Sequence, residues 1–231
     1  MTPDIVMVVG DETNAESNWQ HLLALAPRAR RMDAARSIRA AFVEAAKTAT
    51  TSHFFLVDAD NWIQEGFGFN VDVEPRSDEI VVWCALNPVN GLIYPHGGIK
   101  LLPTERVLRA SLGDAIDTTT SIAAGLRVVP VMASEHRFNT SPLEAWRTAF
   151  RECAKFASRS IRGLREDAIS EVVNAWCSKG ADAPFGSWCM LGARDGRSFG
   201  EAWARHPDNI RKVNDYEWLR LAFDQHYGHR I

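Results

Sequence analysis

A chain of 231 residues, 46% of them hydrophobic, can fill the core of one sizeable α/β domain, which excludes disorder as its main state. The 26 Lys plus Arg against 29 Asp plus Glu leave a formal charge of −3, so no global basic field marks a polyanionic partner and any nucleic-acid contact is local. Four widely spaced cysteines, Cys84, Cys153, Cys177 and Cys189, form no CxxC pair, which argues against structural zinc and for buried reduced thiols.

Met1-Thr2-Pro3-Asp4 lacks the basic and apolar regions of a signal peptide. No apolar run approaches the roughly 18 residues that span a bilayer, so the expectation is a soluble, cytoplasmic protein with no membrane partner. In chain order, Ile5 to Val9 is a continuous apolar run ending at Gly10, as in a buried parallel strand. A polar stretch from Asp11 to Asn18 precedes helical spacing at Trp19, Leu22, Leu23 and Leu25, and Pro27 ends the unit. Arg30 to Asp33 reads as a short second strand, Ala35 to Ala49 as an Ala-rich helix with Ile38, Phe42 and Ala46 on one face, and Phe54 to Val57 as a third strand. This order predicts an open, mostly parallel sheet flanked by helices, with ligands beyond the carboxyl ends of its strands.

Ile80 to Leu86 is a further strand. Asn87 to Pro103 then holds an unusual density of turn formers, which either connect strands tightly or let the backbone approach a ligand. Val128 to Met132 reads as a strand, and Pro142, with Ser141 as N-cap, starts a long helix. Leu143, Trp146, Phe150, Cys153 and Ala157 form its apolar side; Arg147, Arg151, Lys155 and Arg159 recur every four residues as a cationic stripe. Helix is expected from Glu166 to Trp176, a Gly-rich stretch from Gly180 to Gly200, and helix again around Ala202 and from Asp215 to His226. With no repeat and no linker, 1–231 reads as one domain: a sheet part over 1–103 and a helical part over 104–231.

The strand Phe54-Phe55-Leu56-Val57 ends in Asp58-Ala59-Asp60. Acidic side chains at i and i+2 share a face of an extended segment and can converge on one hard cation, Mg²⁺ or Mn²⁺. His136 is the candidate third ligand, and Glu135 beside it a rival ligand or general base. His96, between Pro95 and Gly97-Gly98, could hydrogen-bond a phosphate or an acceptor hydroxyl, with Lys100 supplying charge. The stripe is either a solvated helix face or a track for phosphates.

Three segments carry a resemblance. Phe54 to Asp60, Asn87-Pro88-Val89-Asn90-Gly91-Leu92-Ile93-Tyr94 with His96-Gly97-Gly98-Ile99-Lys100-Leu101-Leu102-Pro103, and Arg137 to Pro142 with Trp146-Arg147 and Phe150-Arg151-Glu152-Cys153 resemble phage DNA-modifying glycosyltransferases of the GT-A fold, a family related to the base J glucosyltransferase. The resemblance reaches nearly the whole chain, to about Asn214-Asp215-Tyr216-Glu217-Trp218-Leu219. It implies metal-dependent transfer of a hexosyl or pentosyl group from a nucleotide-sugar, a UDP-sugar by expectation, to the hydroxyl of 5-hydroxymethylcytosine or a related 5-hydroxymethylpyrimidine in DNA. In a phage the location is the host cytoplasm.

By position, the resemblance puts Asp58 and Asp60 at the metal and diphosphate. It puts Gly10, Asp11 and Asp33 near the nucleoside, and Asn90, His96, Gly97, Gly98 and Lys100 along the donor or acceptor pocket. Glu135, His96 and Asp215, in that order, are the candidate bases for the acceptor hydroxyl, and Arg147, Arg151, Lys155 and Arg159 the DNA contacts. A nucleotidyltransferase is the competing enzyme class, but it usually places a cation in a Gly-rich loop after the first strand, where this chain has acidic Val9-Gly10-Asp11-Glu12. A non-catalytic sugar-nucleotide or nucleic-acid binding module is the third reading.

Overall fold

The computed structural model describes residues 2–34, 38–70, 75–110, 115–161 and 165–228. The expected helix start at Ala35 and the Ile38 side chain lie outside the described residues. Contacts divide the chain into two compact units, one from the described residues of 1–87, 93–113 and 118–137, the other from those of 88–92, 114–117 and 138–231.

The first unit is built on a seven-stranded mixed sheet. Its strands are β1 (Asp4–Val9), β2 (Arg30–Asp33), β3 (His53–Asp58), β4 (Asn61–Ile63), β5 (Glu79–Leu86), β6 (Ile93–Pro103) and β7 (Gly125–His136). They lie in the order β2-β1-β3-β6-β5-β7-β4. The pairings β1 to β2, β1 to β3 and β5 to β7 are parallel; β3 to β6, β5 to β6 and β4 to β7 are antiparallel. The α/β class and the flanking helices are as expected, while parallel pairing accounts for half of the contacts between strands.

Strand alternation divides the core into two layers. Ile5, Met7 and Val9 of β1, with Phe55 and Val57 of β3, pack under α1 (Ala15–Leu25) through Ala15 and Leu22. Val6 and Val8, with Phe54 and Leu56, pack against Phe42, Ala45 and Ala46 of α2 (Ile38–Thr48) and Val107 of α3 (Thr104–Arg109). Both faces are covered, so the strands read as unbroken apolar runs.

The turn-rich segment resolves into a hairpin turn and an 11-residue central strand, β6, antiparallel to both β3 and β5. Pairing with β5 jumps from Cys84 with Pro95 to Val82 with Lys100. The extra residues form a bulge around His96-Gly97-Gly98, where Gly97 takes φ +77. Glycine and proline inside this strand serve the bulge, which accounts for their density there.

The second unit contains α4 (Pro142–Ala157), α5 (Glu166–Ser178), α6 (Gly186–Trp203), α7 (Pro207–Ile210) and α8 (Tyr216–Tyr227). Ser141 caps α4 as expected, its Oγ accepting from the Glu144 amide at 3.1 Å. The Gly-rich stretch is largely helix: Gly192, Gly196 and Gly200 lie one turn apart along α6. A Cβ on each would stand 2.2, 2.2 and 2.5 Å from the carbonyl oxygens of Trp146, Phe150 and Ala154. These glycines let α6 run alongside α4 in the same direction at backbone contact, so close packing overrides their weak helix propensity. Trp146, Phe150, Val213, Leu219 and Phe223 close the core of this unit.

Candidate functional site

Parallel pairing sets Val8 of β1 beside Asp58 and Val9 beside Asp33, so the carboxyl ends of β1, β2 and β3 lie together. Asp58 ends β3, Ala59 donates its amide to the Val8 carbonyl at 3.2 Å, and Asp60 follows at the turn into β4. Through β4 the chain crosses to the far side of the sheet, where Asn61 pairs with His136 and Trp62 with Glu135 of β7. This crossing brings the end of β7 to Asp60, a juxtaposition of residues 76 positions apart.

Asp60 sits in a hydrogen-bonded chain. His136 Nε2 lies 2.9 Å from Asp60 Oδ2, the Asn61 amide donates to Asp60 Oδ1 at 2.8 Å, and Ser134 Oγ donates to Asn61 Oδ1 at 2.8 Å. His96 stacks on His136 with ring centroids 3.8 Å apart. Burial raises the Asp60 carboxyl, but the positive charge and hydrogen bond of His136, the charge of His96 and the Asn61 amide outweigh it and hold the group below the usual carboxylate range. Asp60 is therefore a fixed anion facing two imidazoles.

Asp58 has a different partner. Lys100 Nζ donates to both of its oxygens, at 2.9 and 2.8 Å. The lysine is 3% exposed and runs along the α2 layer, its ammonium 5.2 Å from the Phe42 ring, whereas Asp58 keeps 27% of its surface. Burial raises the Asp58 carboxyl and the neighbouring Asp60 adds to it, with Lys100 opposing. Lys100 thus stands behind Asp58 as its buried counter-ion.

The residues do not fit the three-ligand metal centre expected from Asp58, Asp60 and His136. Both Asp58 oxygens are already held by a buried ammonium, and a dication there would face that charge at short range in a poorly solvated environment. Only Asp60 and His136 meet, and among the described residues no group of three His, Cys, Asp or Glu is arranged to hold a metal.

Sequence reasoning missed Glu12, and also Asn61 and Ser134. Glu12 lies in the loop after β1, and its Oε2 accepts the Gly10 amide at 2.7 Å. Burial, then the negative charges of Asp60 and Asp58, raise its carboxyl to about 7. A group poised there can exchange a proton near neutrality. The available signal was its place just past the first parallel strand, next to the end of β3.

The remaining candidates scatter. Gly98 accommodates the protein itself: a Cβ on it would stand 2.2 Å from Asn61 Oδ1, so the glycine makes room for the amide that orients Asp60. Glu135 lies one residue off the buried Asn61, Ser134 and His136 row, hence on the opposite face of the strand. There it pairs with Arg137 at 3.2 Å, and the Arg137 guanidinium lies 4.0 Å from the Trp62 ring. Asp33, the last residue of β2, and Asp11, in the loop after β1, are exposed. In the second unit, Asn90 Oδ1 accepts the Leu92 amide within the hairpin turn and Asp215 caps α8 through the Trp218 amide.

The cationic stripe is committed internally. Arg147 is buried and bonds Glu144 at 2.5 Å, Arg151 donates to the Val213 carbonyl at 2.8 Å, and both guanidiniums lie against Tyr216. Lys155 pairs with Asp117 at 3.5 Å, and Arg159 lies beyond the end of α4, at φ +59, paired with Glu166. Arg147, Arg151 and Lys155 are thus engaged within the helical unit while Arg159 sits in an exposed ion pair, so the four form no continuous solvated track.

Among solved structures, the chain is similar to a glycosyltransferase involved in the glycosylation of the major capsid of PBCV-1, at 11% identity and a TM-score of 0.39 over 60% of this chain and 95% of that one. The likeness is weak. No protein-family profile and no curated protein matches the chain. No helix among the described residues is long and apolar enough to cross a membrane.

Proposed function

We propose that the chain is a glycosyltransferase that moves a sugar from a nucleotide-sugar, a UDP-sugar by preference, to the hydroxyl of a 5-hydroxymethylpyrimidine in DNA. The observation that carries the sugar-nucleotide part is the cluster at the carboxyl ends of β1 and β3, where Glu12, Asp58 and Asp60 converge and His136, His96 and Lys100 balance their charge. Strand ends of this kind are where α/β sheets receive nucleotides. The acceptor rests on the resemblance of the Asn87 to Pro103 and Arg137 to Cys153 segments to DNA-modifying glycosyltransferases.

The chain's own groups divide the work. Departure of a nucleoside diphosphate builds negative charge on phosphate oxygens, and the stacked imidazoles of His96 and His136 beside Asp60 are the ring N–H groups at hand to meet it. Asp60 keeps His136 oriented, with Asn61 and Ser134 fixing Asp60 in turn. Asp58, held at both oxygens by Lys100, is an acceptor for hydroxyls of the donor. Glu12, half ionised near pH 7, is the group best placed to take the acceptor proton.

The test is incubation with 5-hydroxymethylcytosine DNA and a panel of nucleotide-sugars, in Mn²⁺ and in EDTA, followed by mass analysis of the digested nucleosides. A hexose or pentose mass gain that disappears in Asp60→Ala and falls about 10²-fold or more in Glu12→Gln is expected. No transfer from any donor to hydroxymethylated DNA under either condition refutes the proposal.

A further inference from the structure

The start of α1 departs from what helix stability alone would choose. Asn14 occupies the N-cap position, where an asparagine side chain ordinarily accepts an amide of the first turn, yet it makes no such bond. Its Nδ2 instead donates to the carbonyl of Arg137 at 2.8 Å, 123 positions away in sequence. One turn further on, Asn18 falls between Ala15 and Leu22 on the inward face of the helix, a place that helical spacing reserves for an apolar side chain. It is 1% exposed, and its Nδ2 donates to the Ala59 carbonyl at 2.7 Å. Only the amide nitrogen can give a proton to a carbonyl, so both carboxamides are fixed in orientation. Among the described residues neither buried Oδ1 meets a donor.

A forgone cap, a polar group in an apolar stripe and two buried acceptors left over all work against stability. Conflict of that kind between local rules and the residue present is expected where function sets the choice. The acceptors show which function. Ala59 separates Asp58 from Asp60, and Arg137 follows His136 and donates its own amide to the Asp60 carbonyl at 2.7 Å. Glu12 lies in the turn that leads into the same helix, its carbonyl accepting the Ala15 amide at 3.1 Å.

We propose that Asn14 and Asn18 are positioning residues, two clamps on α1 that hold the Asp58–Asp60 turn and the end of β7 in register with the loop carrying Glu12. Each acts through a main-chain carbonyl rather than by contact with a reacting group. Side chains four apart on a helix stand one above the other, with roughly 5 to 6 Å between Cβ atoms, so the spacing of the two carbonyls is set by the helix itself. The helix thereby serves as a ruler between three segments that are distant in sequence. Its effect on turnover rests on the sugar-transfer reading, because a misplacement of about 1 Å among reacting groups can cost about 10²-fold in rate. The clamp as such does not rest on that reading.

Asn14→Ser and Asn18→Leu in the full chain test this. Serine is a good cap but too short to reach Arg137, and leucine fills the Asn18 position without a donor. Hydrogen–deuterium exchange should quicken about three-fold or more over 134–137 in Asn14→Ser and over 58–62 in Asn18→Leu, with the centres of β1 and β3 unchanged. Asn14→Ser should melt within about 2 °C of wild type or above it, since it regains the cap, and it carries the test if Asn18→Leu folds poorly. In transfer from a nucleotide-sugar to hydroxymethylated DNA, kcat should fall at least about ten-fold while KM for the nucleotide-sugar stays within about three-fold, because orientation and not binding is lost. Unchanged exchange over 134–137 in Asn14→Ser refutes the clamp, whether or not the wild type transfers a sugar. Faster exchange with a wild-type kcat makes the contacts merely structural and equally overturns the proposal. Faster exchange in a protein whose wild type transfers no sugar from any donor supports the clamp and overturns the sugar-transfer reading alone.

Discussion

Replacing Lys100 by Met keeps most of the side-chain volume under Phe42 and removes the ammonium. It leaves Asp58 without the cation that holds both its oxygens at 2.8 and 2.9 Å. Losing one member of a buried pair typically costs about 3 to 5 kcal/mol, because the other charge stays desolvated and unpaired. Asp58 retains 27% exposure, so water recovers part of that loss and about 2 to 3 kcal/mol is the expected destabilisation at pH 7. The variant also has an escape: without Lys100, burial raises the Asp58 carboxyl further, and protonation removes the unpaired charge. The deficit should therefore shrink as the pH is lowered towards 5.

Urea unfolding at both pH values, with the Asp58→Asn and double variants completing a cycle, measures this directly. The double variant should be more stable than Lys100→Met and show a coupling of about 1 kcal/mol or more, since neither desolvated charge remains. A Lys100→Met variant within about 0.5 kcal/mol of wild type, or additive single effects, would refute the ion-pair reading and return Asp58 to the pool of available metal ligands.

Other sites give sharper structural or pH signatures. Gly196→Ala should gain the roughly 1 kcal/mol that alanine adds in a helix, yet lose about 1 to 3 kcal/mol more than that from overpacking. Its Cβ would press within 2.2 Å of the Phe150 carbonyl, and net stabilisation in thermal melts would contradict the backbone contact between α4 and α6. Gly98→Ala should displace Asn61 and break the Ser134 to Asn61 to Asp60 chain, lowering the melting temperature and weakening nucleotide binding; retained binding by calorimetry would remove Asn61 from the site. Glu12 has a folded pKa raised from 4.5 to about 7, so its ionisation opposes folding: the penalty is absent below 4.5, grows with rising pH and is complete above 7. Glu12→Gln should therefore match wild type at pH 4 and exceed its stability by about 1 to 3 kcal/mol at pH 8, and an equal offset at both pH values would exclude the buried carboxyl.

Much of the α/β order was legible in the sequence because unbroken apolar runs such as Ile5 to Val9 and Phe54 to Val57 arise only when both faces of a strand are covered. The Ser141 cap and the start of α4 at Pro142 were equally local, since capping depends on residues three apart. The strand-end acids at Asp58 and Asp60 followed from the same apolar run and its abrupt end. Composition misled where glycine served packing. The stretch around Gly192, Gly196 and Gly200 read only as Gly-rich, with no helix assigned, because a helix that touches another at backbone distance selects against side chains, and nothing in one segment reveals its neighbour.

The partners of the acids were decided by tertiary structure. Lys100 reaches Asp58 because β6 lies antiparallel beside β3, and His136 reaches Asp60 because β4 crosses to the end of β7. Both depend on contacts 42 and 76 residues apart. The same register turned Glu135 to the opposite face, since one residue along a strand inverts direction. By itself the sequence determined a layered sheet whose third strand ends in two carboxylates. Only the fold determined that one would be balanced by a buried ammonium, the other by paired imidazoles, and that Glu12 would be pressed towards neutrality beside them. Charge neutralisation is a property of distance in space, which local sequence spacing does not encode.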